Sequence, residues 1–267
     1  MNAADFFSVI NEMRRSGSYV SNSFMSRAQI EELIFGEPAD KSSQILRKDG
    51  LLVFLIDDPD CVRLNFYARD LDCLKHIPDI MPRLSKPLVA DVVGKAGDIE
   101  GSARALEAVS FEEYGKFIRM SRSPLPEIRP DRNLLVESAR EEDADDIVQA
   151  LRCEFDPLLS RIPTRDQMTQ AIGNGDVTLI RANGSIAGFA HFDRPSKMAL
   201  LLRFFVVKKS YRGQRFGLAL LANTFAEYPP SAACTLWIGT YNSSVGFYEK
   251  LGFKRDGMVD YIMKRKG

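Results

Sequence analysis

The spacing of apolar and polar positions changes along the chain, and the changes mark its elements. Leu200-Leu201-Leu202-Arg203-Phe204-Phe205-Val206-Val207 is an apolar run of strand length, the pattern of a strand covered on both faces. A polar, basic turn follows at 208–217, and 218–226 reads as an apolar helix that begins directly on it. A second strand is predicted at 235–239 and a second short helix within 241–253. Upstream, 134–138 reads as a strand, and 141–151 as a helix with acidic residues in its first turn, where the dipole favours them. A second helix is expected at 163–171. Residues 178–181 and 186–193 form a hairpin about Asn183-Gly184. With a closing strand near 261–264, the order is β, α, α, β, β, β, α, β, α, β.

The first half carries the same alternation with different punctuation. Phe6, Phe7, Ile10 and Met13 share one face of a helix at 5–15, stopped by Ser16-Gly17-Ser18. A second helix at 26–34 starts behind a cap residue, Ser26, and stops at Gly36-Glu37-Pro38. Strands at 43–47 and 51–56 flank the turn Lys48-Asp49-Gly50, and 62–67 is a third. Residues 71–84 are helical in pattern but broken by Pro78 and Pro82; a buried strand at 88–93, a helix at 99–109 and a strand at 114–120 follow. Pro124, Pro126 and Pro130 prevent regular structure over 123–130, which reads as a linker. The expected organisation is a domain at 1–123, a linker at 124–132 and a domain at 133–267.

A chain of 267 residues with 45% apolar side chains can fill a core in two modest domains. Its 36 basic and 36 acidic residues cancel, which argues against a nucleic-acid partner. Cys61, Cys73, Cys153 and Cys234 are scattered, and with His76 and His191 give no metal-ligand spacing. No apolar run approaches the ~18 residues of a membrane span, and the N-terminus lacks the basic start and apolar region of a signal peptide. A reduced, cytoplasmic protein with no membrane partner is expected, as a monomer or a homodimer.

Any cationic site must therefore be local. Lys208, Lys209, Arg212 and Arg215 surround the turn before the apolar helix, and Gly213 and Gly217 let a ligand approach the backbone. The first turn of a helix has N–H groups without partners and partial positive charge. Strand, basic glycine-bearing loop and helix together make an anion site suited to a di- or triphosphate.

At this point the residues resemble a family. Arg212-Gly213-Gln214-Arg215-Phe216-Gly217 is similar to the Gln/Arg-x-x-Gly-x-Gly/Ala signature of the GNAT acetyltransferases, with Arg215 where the first signature glycine usually lies. Phe247-Tyr248-Glu249-Lys250-Leu251-Gly252-Phe253 matches the family's last helix, and 139–146 opens as the family does. The resemblance covers roughly 134–266. The first half looks like a degenerate copy: Asp70 and Asp72 replace the glycine loop, and Leu106 stands where Tyr248 stands. The fold implied is α/β, a tandem GNAT fold with a mixed central sheet flanked by helices in each half. An unrelated α/β domain in the first half is the alternative.

The resemblance implies an N-acetyltransferase that uses acetyl-CoA and a small-molecule or peptide amine. Coenzyme A is expected on Phe205, Val206 and Val207, on the loop Arg212, Gly213, Gln214, Arg215, Phe216, Gly217 and Leu218, and on Asn242. Asn242 sits one residue closer to Tyr248 than the family pattern. Tyr248 is the implied general acid, since a phenol with a pKa near ~10 keeps a proton to give to a departing thiolate. For the base the residues leave His191, Asp193 and Glu154 open. Arg203 is a further polar side chain on the central strand, free to hold an acceptor carboxylate or to extend into solvent. The other function class is a catalytically silent CoA-binding or ligand-sensing protein.

Overall fold

The computed structural model describes residues 1–36, 44–129, 131 and 133–266. The helix stop at Glu37-Pro38, the first residue of the 43–47 strand, and Pro130 lie outside them. The chain divides into two compact units. One is Met1–Lys116 together with the segment from Met258, and the other is Phe117–Gly257.

In the first unit, α1 (Ala3–Arg14) is capped by Asn2, whose side chain accepts from the Asp5 N–H, and buries Phe6, Ile10 and Met13. They pack with Leu52, Phe54 and Tyr67 of the sheet. A two-residue strand, β1 (Val20–Ser21), follows. The helix α2 (Arg27–Ile30) starts on a reciprocal Ser26–Gln29 capping box and runs on as a wider turn to Phe35. Next come β2 (Gln44–Lys48) and β3 (Leu51–Asp57), whose turn uses positive φ at Asp49 and Gly50. They lead to β4 (Val62–Ala68), α3 (Ile77–Ile80), β5 (Leu88–Lys95), α4 (Ala96–Glu107) and β6 (Phe111–Arg122). Sheet order here is β2-β3-β4-β5, with the C-terminal segment Met258–Lys264 antiparallel to β5 on its far side.

The second unit begins inside β6. It continues through β7 (Val136–Ser138), α5 (Ala144–Glu154), α6 (Arg165–Gly173), β8 (Val177–Ala182), β9 (Ser185–Ser196), β10 (Ala199–Val207), α7 (Phe216–Ala226), β11 (Ala233–Gly239) and α8 (Val245–Lys250). The last strand, β12 (Lys254–Arg265), starts in this unit and ends in the other. Sheet order is β6-β11-β10-β9-β8-β7. Helices α5 and α6 bury Ile147, Leu151, Met168 and Ile172 against Phe189, Phe204 and Val206. Helix α7 is apolar on nearly every side and places Leu220, Leu221 and Phe225 in the core.

Residues 117–122 of β6 pair along β11 from Phe117↔Gly239 to Arg122↔Cys234. The proline-rich stretch belongs to this unit as far as Arg129: Leu125 is buried, and its N–H donates to the Pro230 carbonyl at 2.9 Å. Proline removes donors and fixes φ, but it does not stop a chain from lying on a core.

Candidate active site

The site is set by two parallel strands that part. β10 and β11 pair from Ala199↔Ala233 to Leu202↔Leu236 and no further. At the point of parting, the register between β10 and β9 shifts between Leu202 and Phe204, so Arg203 sits in a bulge. A bulge bends its strand and increases the local twist. Beyond it, the edges of β10 and β11 that face each other have no ladder partner. A cavity of ≈ 880 Å³ opens there, lined by Arg203, Phe205, Trp237 and Gly239 among others. This is the size of a ligand site, about 300–1,000 Å³.

The basic loop closes one end. The Lys208 N–H donates to the Ala187 carbonyl at 2.9 Å, and a single turn over Lys209–Tyr211 leads to Arg212. Gly213 has φ 80°, a value it adopts without penalty. Arg215 has φ 65° at the N-cap of α7, and no side chain caps the helix. The N–H groups of the first turn are thus left for another acceptor, beside cationic side chains. At Gly217 an added Cβ would lie 3.0 Å from the Phe205 ring, so glycine lets α7 pack directly on β10.

Of the residues the sequence marks, Phe205, Val206, Val207, Arg212, Gly213, Arg215, Phe216, Gly217, Leu218, Asn242 and Tyr248 line this cavity. Gln214 is not among them; its side chain donates to the Ser210 carbonyl at 2.9 Å and braces the loop. The Asn242 side chain accepts from the Ser244 N–H at 2.8 Å and so shapes the turn into α8. Tyr248 is 6% exposed, its ring held among Phe205, Phe247 and Phe253. Burial pushes its phenol above the usual 10.

The candidate bases separate. His191 is buried, stacked on Phe204, and its Nδ1 has no partner. Burial pulls it down to about 4. It does not line the cavity, and neither does Asp193, which lies 3.6 Å from Arg203. Glu154 does line it, but is paired with Arg212 at 3.2 Å. Arg212 Nε also donates to the Val207 carbonyl at 2.9 Å. Sequence reading overlooked Asp156, Trp237 and Tyr241, which line the cavity from a loop, a strand and a turn with no family motif to mark them.

The family model described as an acetyltransferase (GNAT) domain matches residues 144–261. That segment contains the parted strands, the loop and Tyr248, and through it the C-terminal half of the chain is similar to a GNAT acetyltransferase domain. The solved structures extend the likeness. A GCN5-related N-acetyltransferase from Sphaerobacter thermophilus is 13% identical with TM-score 0.63, covering 91% of this chain and 87% of that one. A second from Kribbella flavida is 16% identical with TM-score 0.58, covering 96% and 95%. A tandem GNAT protein from the clavulanic acid biosynthesis pathway is 13% identical with TM-score 0.60, covering 100% and 96%. The fold of the whole chain is thus a tandem GNAT fold. No curated protein matches the chain.

Proposed function

We propose that the protein is an acetyl-CoA-dependent N-acetyltransferase, with binding and chemistry confined to the C-terminal unit. The observation that carries this is the uncapped N-terminus of α7, set behind a basic loop and opening onto the cavity between parted strands. The residues fit the donor. N–H groups from Gly213 to Leu218 hold its pyrophosphate beside the Arg212 side chain, and the unladdered edges of β10 and β11 take the pantetheine amides. Acetyl-CoA supplies an activated acyl group. Phe205 or Val207 offers a backbone N–H to the thioester carbonyl oxygen. The acceptor amine forms a C–N bond as the C–S bond breaks, Tyr248 gives its proton to the leaving sulfur, and the amine proton passes to water. The acceptor is a primary amine of a small molecule or peptide. The setting is cytoplasmic; among the described residues no helix is long and apolar enough to cross a membrane.

The test is release of the free CoA thiol from acetyl-CoA over a panel of small amines, peptides and aminoglycosides. Turnover with at least one acceptor, lost in the Gly217→Glu variant, is expected. Tight CoA binding without turnover on any acceptor favours the second reading, a silent CoA-binding or ligand-sensing protein. That reading draws on one observation: Glu154, the candidate base that lines the cavity, is engaged by Arg212.

A further inference from the structure

The N-terminal unit contains the same parting of parallel strands, and there the gap is filled by the chain itself. β4 and β5 pair only at Val62↔Leu88 and Arg63↔Val89. Beyond these pairs, the stretch from Leu64 to Ala68 and the stretch from Ala90 onward have no ladder between them. β10 and β11 part in the same way in the C-terminal unit, where the cavity lies.

In the N-terminal unit β1 enters this gap. Val20 and Ser21 pair antiparallel with Ala68 and Tyr67 of β4. Asn22 then reaches between the strands. Its Nδ2 donates to the Leu64 carbonyl of β4 at 2.9 Å and to the Asp91 carbonyl of β5 at 3.0 Å. Its Oδ1 accepts from the Phe66 N–H at 2.7 Å. Ser21 Oγ donates to the Phe66 carbonyl at 2.9 Å. Asn22 is only 6% exposed, so these bonds satisfy groups that water does not reach.

A carboxamide has one acceptor and a two-proton donor in a plane. It can therefore bridge two parted strands as a bound amide would. We propose that the N-terminal unit is a self-liganded copy of the fold. Asn22 occupies the amide position between β4 and β5, and the unit is closed to pantetheine-type amide ligands by its own chain. That a pantetheine takes the corresponding place in the other unit rests on the acetyl-CoA reading above; the hydrogen bonds of Asn22 do not.

The plug makes two demands. Asn22→Leu keeps the branching and size of the side chain but removes all three bonds, leaving the Leu64 carbonyl, the Asp91 carbonyl and the Phe66 N–H without them. It should lower the Tm of the full-length protein by about 5–10 °C. Asn22→Ser, which keeps a donor and an acceptor, should lose less. In the wild type, amide hydrogen exchange should find Phe66 strongly protected, and saturating CoA or free pantetheine should leave that protection unchanged. An Asn22→Leu protein as stable as the wild type overturns the proposal. So does a Phe66 amide that exchanges freely, or one that CoA or pantetheine deprotects. If Asn22→Leu does not fold, the exchange measurement on the wild type decides. A wild type that binds no CoA at all refutes the acetyltransferase reading while leaving both plug measurements to be read.

Discussion

Tyr248→Phe removes one hydroxyl from the candidate site and little else. The ring sits 5.2 Å from Phe247, 5.8 Å from Phe253 and 6.4 Å from Phe205, and phenylalanine keeps each of these contacts. The pyrophosphate and amide contacts proposed for CoA lie on other residues, so its affinity should change by less than about threefold, under 1 kcal/mol. The proton is needed only as the C–S bond breaks, so the loss should fall on kcat more than on KM. General acid catalysis sets the scale, and a thiolate leaves tolerably well unaided. A fall of about ten- to a thousand-fold is therefore expected, or about 1.4–4 kcal/mol in the barrier. The phenol pKa is raised by burial, so the neutral acid persists through alkaline pH. The wild-type kcat should therefore show no loss from this group below its ordinary pKa of about 10. The assay is steady-state thiol release under conditions where chemistry limits the rate, with CoA affinity measured separately. Full activity of the phenylalanine variant under those conditions refutes the assignment and leaves Tyr248 as a packing residue.

Arg215 adopts φ 65°, where a side chain is strained by about 1–2 kcal/mol. Arg215→Gly should raise the Tm by about 1–4 °C in a thermal melt, its exposed contact to Asp131 at 3.9 Å counting for little, and a lower Tm contradicts the strain. His191 is held neutral, with its pKa pulled down to about 4. Its contribution to stability is therefore intact above about pH 7 and is lost as the pH falls from about 6.5 to 4, up to about 3 kcal/mol. Denaturant titrations of His191→Phe should lack that part of the acid loss, and parallel curves for variant and wild type would exclude it. A chain cut to 133–267 loses residues 117–122 and with them the antiparallel partner of β11, leaving it paired only with β10 over Ala199–Leu202. It should bind CoA at least tenfold more weakly in calorimetry, and undiminished affinity would show that the pairing with β10 is enough to hold β11 in place.

Much of the fold was legible because its elements carry local signals. The apolar run of β10, the Asn183-Gly184 turn and the capping residue Ser26 each follow from a few neighbouring residues. Long-range pairing was not legible. β1 is two residues with no alternating pattern, and nothing near Asn22 announces that it bridges strands more than forty positions away. The ends of β6 and β12 likewise read as ordinary closing strands. Only their partners, β11 for residues 117–122 and β5 for residues 258–264, show where each belongs.

At the site, the sequence marked the residues of the basic loop before α7, because glycines and cations cluster there. It also marked Gln214, which braces the loop and does not line the cavity, since spacing cannot tell which way a side chain turns. Arg215 shows the opposite case. Its departure from glycine falls at a position with positive φ, a fact about the backbone that no side-chain pattern reveals. The loop residues around Asp156, which line the cavity, were missed because they carry no periodicity and no motif.

Calorimetric titration of the full-length protein with CoA tests the central claim most directly. One equivalent should bind the wild type, and none should bind a folded Gly217→Glu variant, whose carboxylate would stand at the uncapped N-terminus of α7 beside the Phe205 ring. Two equivalent sites in the wild type, or unchanged affinity in the variant, would contradict the account.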